Sequence, residues 1–228
     1  MKKFEKMTTT EFALFCLMAI SSGLIIGIGG MSSLLALGLL GAWGRLVGAC
    51  LFSLGIYAIV TYEMRLFTGM IADIPKMGVV NMWKLFVCFL CNILGVGLIA
   101  YISQYTFIAE LITQQGRELI FTKLTSTNWA MNSLCSATLC GALITLSVWS
   151  VRYAPQKGVS STVGVLFPII VFAFCGFDHS IANMLYFFYL DEWTWQVFAY
   201  IALSVIGNVI GGVFLPLISL LKEEVKSK

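Results

Sequence analysis

Gly176, Phe177, Asp178, His179, Ser180, Ile181, Ala182 and Asn183 stand inside an apolar run that extends from about residue 160 to 190. An acid, an amide and the chain's one histidine cannot sit on a plain lipid-facing helix. Ionisable groups at bilayer depth are costly and face an interior cavity or a partner. A second run, from about 44 to 74, is interrupted in the same way by Glu63, Arg65, Thr68, Gly69 and Asp73. Both runs are longer than the roughly 20 residues of a simple span, which calls for tilt or a break. The spacing predicts two broken helices.

The remaining runs lie at about 12 to 40, 82 to 112, 129 to 153 and 193 to 221. With 59% hydrophobic residues and 11% charged ones, against roughly 25% charged in a soluble domain, the chain cannot hide its apolar surface in water. Its 228 residues hold six spans with short connections, so residues 1–228 read as a single transmembrane domain. The fold class expected is an all-α polytopic membrane protein of six transmembrane helices, with the second and fifth broken. A break in the middle of each three-helix half is the pattern of an inverted repeat. Cys91, Asn92, Ile93, Leu94, Gly95 in the third span is echoed by Gly207, Asn208, Val209, Ile210, Gly211 in the sixth.

Charge placement sets the orientation. With both termini cytoplasmic and Arg65 set aside as intramembrane, that side holds Lys2, Lys3, Lys6, Lys76, Lys84, Arg152, Lys157, Lys222, Lys226 and Lys228, and the other only Arg45, Arg117 and Lys123. That distribution satisfies the positive-inside rule. Residues 113–128 form the one polar connection of any length, expected at the outer surface with one short amphipathic turn around Arg117 to Thr122. Trp43, Trp83, Trp129, Trp149, Trp193 and Trp195 fall near span ends, where an aromatic belt belongs. The first apolar stretch is too long for a signal peptide, whose core is about 7 to 15 residues.

Other classes lack their residues. Basic side chains confined to caps and short loops give no nucleic-acid surface. The seven cysteines all lie in apolar runs, where free thiols behave as small hydrophobes. Cys88 and Cys91 form a C-x-x-C without polar surroundings or a second pair, so no metal site, cofactor or catalytic residue is assigned. One histidine among buried thiols is a poor enzyme.

Leu66, Phe67, Thr68, Gly69 together with Gly176 to Met184 resemble the formate/nitrite transporter family. Phe167, Pro168, Ile169 match the approach to its fifth-helix motif, and Leu146, Ser147, Val148, Trp149 the end of its fourth helix. The resemblance covers nearly the whole chain. It implies an aquaporin-like fold assembled as a homopentamer in the bilayer, each subunit with its own pore for formate, nitrite or hydrosulfide, and a location in a bacterial inner membrane. By similarity, Thr68 on the loop breaking helix two faces His179 on the loop breaking helix five. Phe52, Ile56 and Phe172 form one apolar constriction and Leu66 with Phe67 part of another. Asn183 lines the pore, and Gly69, Gly176, Phe177 and Asp178 belong to the helix breaks.

The residues support an anion independently of the family. Histidine can change charge near neutrality; burial favours its neutral form and a bound anion its charged form. Half-helices starting after Gly69 and His179 would aim positive dipole ends at the midplane. The expected passenger is a small monovalent weak-acid anion, with protons as an expected companion. Plainer roles stay open: His179 donating to a freed carbonyl, Thr68 bonding back to its own helix, Asp178 capping the following half-helix, the Phe residues packing only. Glu63 and Arg65, spaced i, i+2, point apart and can pair with other spans.

The family pattern usually has Asn where this chain has Met70 and Gly141, and a basic residue where it has Ser161, with Lys157 one turn earlier. Fewer polar contacts disfavour oxygen-rich anions and lean toward hydrosulfide. The rival reading is an aquaporin-like pore for water or a small neutral solute, but the paired Asn-Pro-Ala loops are absent.

Overall fold

A computed structural model describes residues 7–152 and 159–226; Lys2, Lys3, Lys6, Lys157 and Lys228, used above, lie outside the described residues. In chain order the elements are α1 (Thr9–Leu40), α2 (Ala42–Thr61), the short α3 (Phe67–Met70), a 3-10 turn (Ile71–Asp73), α4 (Ile74–Met77), a second 3-10 turn (Val79–Asn81) and α5 (Trp83–Ser103). They continue with α6 (Ala109–Thr125), α7 (Trp129–Arg152), α8 (Val159–Cys175), α9 (Ala182–Phe188) and α10 (Trp195–Lys226). Every regular element among the described residues is helical. Five helices are long and apolar enough to cross a bilayer, those built on α1, α2, α5, α7 and α10; in α8 the apolar stretch Ser161–Cys175 is shorter.

The polar connection differs from expectation. The third run stops at Ser103, and a 17-residue helix, α6, replaces the single turn foreseen around Arg117. Ile112, Gly116 and Ile120 are its buried residues, one side chain per turn. A stripe that thin, one member being glycine, is hard to see among Gln and Thr.

α1 packs on α2 and α5, α7 on α10, and α8 lies against α2 and α7. α1 and α5 run parallel, since the Phe12 and Trp83 rings meet at their starts, 6.2 Å apart. α7 and α10 are also parallel: Trp129 stacks on Tyr200 at 6.3 Å, and Thr145 donates to the Gly212 carbonyl at 2.8 Å near the other end. Arg152 meets Asp73 at 2.5 Å and Lys76 meets Glu223 at 3.6 Å, so the ends of α7 and α10 share a face with the approach to α5. Both ends of the described chain lie there; we call it the terminal face, and the other the far face.

Two asparagines fix the gaps. The Phe67 N–H donates to Asn92 Oδ1 at 2.8 Å, and Asn92 Nδ2 donates to the carbonyls of Ala19 at 2.7 Å and Arg65 at 3.0 Å. The Ser180 N–H donates to Asn208 Oδ1 at 2.9 Å, and Asn208 Nδ2 donates to the carbonyls of Ala137 at 2.8 Å and Asp178 at 2.9 Å. Residue for residue, Arg65 answers Asp178, Leu66 answers His179 and Phe67 answers Ser180. The helices before the gaps end alike. Glu63 and Met64 donate to the carbonyls of Val60 and Ile59, as Gly176 and Phe177 do to those of Ala173 and Phe172. That closure places one residue at positive φ: Gly176 at 72° and Glu63 at 52°. Glycine adopts this freely, whereas another residue there costs on the order of 1 kcal/mol.

Gly141 also finds its reason here. A Cβ on it would collide with the Asn208 backbone, and one on Gly23 with the Asn92 backbone. Position 141 serves the close approach of α7 and α10.

Replacing Asn92 or Asn208 by leucine keeps the volume but strands one N–H and two carbonyls, each worth about 1–3 kcal/mol when buried unpaired. Either variant should unfold at clearly lower temperature in detergent, and their double mutant should not assemble.

Candidate functional site: two cavities across a buried threonine and histidine pair

Thr68 lies in the first turn of α3 and His179 in the gap before α9. Thr68 Oγ1 and His179 Nε2 are 3.0 Å apart, and each residue is 1% exposed. The other ring nitrogen is spoken for. His179 Nδ1 accepts the backbone N–H groups of Ile181 at 3.2 Å and Ala182 at 3.0 Å. An atom that accepts two N–H bonds carries no hydrogen, so the hydrogen is on Nε2 and donates to Thr68. The Thr68 hydroxyl, accepting that bond, keeps its own O–H for another acceptor. A second proton, on Nδ1, would point straight at two N–H groups, so the ring is a fixed hydrogen-bond donor.

Aromatic walls hold that ring. Phe172 stacks on it at 5.8 Å and 26°, Phe52 meets it edge-on at 6.5 Å, and the two phenyl rings meet each other at 5.7 Å and 89°. Both are buried.

On the far-face side, Phe52, Phe172, Gly176, Phe177, His179 and Asn183 line a cavity with Arg45 and Lys123, about 680 Å³ including its mouth. On the terminal-face side, Ile56, Leu66, Gly69 and Met70 line another with Glu63, Arg65 and Arg152, about 810 Å³ including its mouth. Ile56 therefore faces the opposite cavity from Phe52 and Phe172. Phe67 lines neither of these cavities and packs edge-on against Phe89 at 5.0 Å. Met70 and Asn183 are equivalent, since each donates its N–H to the carbonyl of Leu66 or His179 respectively, at 2.9 Å. The terminal cavity thus has a thioether where the far cavity has an amide.

Asp178 does not cap α9; the His179 Nδ1 atom takes those N–H groups. The Asp178 carboxylate instead accepts from Lys123 Nζ at 2.6 Å, Asn183 Nδ2 at 2.7 Å and the Tyr200 hydroxyl at 2.8 Å. Its backbone N–H donates to Ser136 Oγ at 2.9 Å. Lys123 also donates to the Gly176 carbonyl at 3.1 Å. The pair is largely withdrawn from solvent, with side-chain exposures of 18% for Lys123 and 3% for Asp178. Lys123 comes from the last turn of α6, beyond the single amphipathic turn that the sequence predicts around Arg117 to Thr122, so the sequence gives no sign of this pairing.

The seven cysteines are free, and among the described residues no cluster of His, Cys, Asp and Glu could hold a metal ion. The Cys88 thiol donates a hydrogen bond to the Arg65 carbonyl at 3.3 Å, beside the Asn92 clamp.

The formate/nitrite transporter family model matches residues 1–221. The chain belongs to that family. Formate/nitrite transporters are channels and transporters, not enzymes, and with its apolar helices this one is an integral membrane protein. It is 28% identical over 202 residues to the uncharacterized transporter YrhG of Bacillus subtilis (strain 168), covering 78% of this chain and 71% of the relative. It is 26% identical over 198 residues to a probable formate transporter of Methanothermobacter thermautotrophicus, covering 74% and 71%. Among solved structures, an FNT family ion channel superposes with a TM-score of 0.78 at 18% identity, covering 94% of this chain and 91% of that one. A pentameric formate channel with formate bound gives 0.77 at 19% identity, covering 97% and 100%. These likenesses establish the channel fold.

Because the chain has one histidine, nitrogen NMR of the labelled protein in bicelles should give a single imidazole signal pair, assigned to the Nε2–H form. Thr68→Val should leave that tautomer unchanged and shift only the Nε2 signal.

Proposed function

We propose that the chain is a pore for a small monovalent weak-acid anion, of the class of formate, nitrite and hydrosulfide. The observation that carries this is the buried Thr68–His179 hydrogen bond standing between two cavities with basic side chains at their mouths. In this reading α2 with α3, and α8 with α9, are two spans broken near the bilayer midplane, completing six in an inverted repeat. Passage runs from one cavity to the other past Phe52 and Phe172, then Thr68 and His179, then Leu66 and Ile56. The terminal face, with Lys76, Lys84, Arg152, Lys222 and Lys226, is cytoplasmic by the positive-inside rule, in a bacterial inner membrane. Subunits assemble as a homopentamer, as the bound formate channel that shares the fold is described.

The guanidinium of Arg45 draws an anion into the far cavity, where the Lys123 ammonium is already paired with Asp178. A bare charge in the dry constriction costs several kcal/mol. The passenger therefore crosses as the neutral acid, taking a proton in one cavity and leaving it in the other. His179 contributes by donating its Nε2–H to Thr68, which leaves the polarised Thr68 hydroxyl to hold the acid's oxygen or sulfur while its water is stripped. Met70 in the terminal cavity, where Asn183 stands in the far one, offers a soft contact and inclines the preference toward hydrosulfide. Gly141, set by helix packing, has no bearing on that preference.

Proteoliposomes presented separately with formate, nitrite, hydrosulfide and chloride test the reading. At least one weak-acid anion should enter faster than into empty liposomes, and chloride, water and glycerol should not. Equal rates for all four anions with and without protein would defeat it.

Replacing His179 with Phe should abolish most flux of the conducted anion, while Asn should retain part of it. Replacing Arg45 with Ala should raise the half-saturating concentration from the far side about fivefold, the loss of roughly 1 kcal/mol of attraction, and this difference should shrink in high salt.

A further inference from the structure

Glu63 is the one residue other than glycine with positive φ among the described residues. Its structural counterpart across the repeat is Gly176, reached by the same pair of backbone hydrogen bonds. A glycine would therefore serve the turn better, and the strain has to be sought in what the side chain does. Glu63 lines the terminal cavity beside Leu66, the residue that answers His179. No base among the described residues bonds its carboxylate. Of the bases in the same cavity, Arg152 is held by Asp73, while Arg65, two residues on, forms no ion pair among the described residues.

We propose that Glu63 is the proton acceptor at the terminal mouth, taking the acid proton of the passenger as it leaves the constriction. This rests on passage as the neutral acid. In the step, the O–H or S–H bond of the acid breaks and its electron pair stays on the anion. A new O–H bond forms on the Glu63 carboxylate, which then releases the proton to water; nothing is oxidised or reduced. In the reverse direction the protonated carboxyl hands its proton to an arriving anion. Arg65 then keeps the freshly formed anion in the cavity while it rehydrates. A carboxylate would be a poor ornament at the mouth of an anion pore if it acted only as fixed charge, because it would repel the passenger.

The test uses the full-length protein in proteoliposomes, weakly buffered on both sides, with formate and hydrosulfide as probes. General bases typically contribute a factor of about 10²–10⁴, and water recovers much of it, so Glu63→Gln and Glu63→Gly should each slow flux roughly tenfold. Glu63→Asp should recover the greater part. A concentrated mobile buffer such as phosphate should bring the two slow variants back toward the original rate and leave the unmodified protein almost unaffected. Glu63→Gly should melt no lower than the unmodified protein, since glycine suits the turn. Flux in Glu63→Gln equal to or faster than the original in weak buffer would overturn the assignment, as would a loss that buffer does not restore. If the unmodified protein moves neither probe, it is the pore reading itself that fails.

Discussion

The clamp formed by Asn92 and Asn208 is the interaction on which the rest depends. Each carboxamide is buried, bonds the carbonyl of a neighbouring parallel helix, and spends its remaining capacity on a stretch of chain that has left helical geometry. Backbone groups in an apolar interior need partners, and a gap in a helix frees several at once. One amide, with two donors and an acceptor, satisfies a carbonyl, an N–H and the contact to the next helix together. Without it the gap would have to close into helix, and Thr68 and His179 would separate.

The two gaps share a framework and differ in content. Glu63, Arg65, Leu66 and Met70 occupy the places that Gly176, Asp178, His179 and Asn183 occupy on the other side. The far half invests its polarity in a satisfied network, with Asp178 surrounded by donors and His179 oriented by two backbone N–H groups. The terminal half leaves its charges facing the cavity. That asymmetry gives one scaffold a hydrogen-bonded polar network on one side and cavity-lining charged side chains on the other.

Much of this was legible in the sequence because bilayer physics is strict. Long apolar runs and the charges inside two of them marked the helices and their polar interruptions, and the echo marked Asn92 and Asn208; that Thr68 faces His179 followed from the family resemblance. Trp83, Trp129 and Trp195 open α5, α7 and α10, as an interfacial belt would have them. What stayed hidden depended on pairings between distant residues. α6 buries too thin a stripe to declare itself, so Lys123 looked like a surface charge rather than the partner of Asp178. The role of Gly141 depends on how closely α7 and α10 approach, which no single segment encodes. Which nitrogen of His179 carries its hydrogen depends on two N–H groups whose direction only the folded turn fixes.

The order of the clamps along the chain bears on biogenesis. Each gap precedes the helix that pins it: the Phe67 N–H waits for Asn92, and the Ser180 N–H for Asn208. During N-to-C synthesis, the first gap can be locked once α5 has entered the membrane, while the histidine-bearing gap stays unpinned until the last helix is inserted. A chain halted before α10 would thus carry one pinned gap and one in which the Ser180 N–H and the Asp178 carbonyl still lack their side-chain partner.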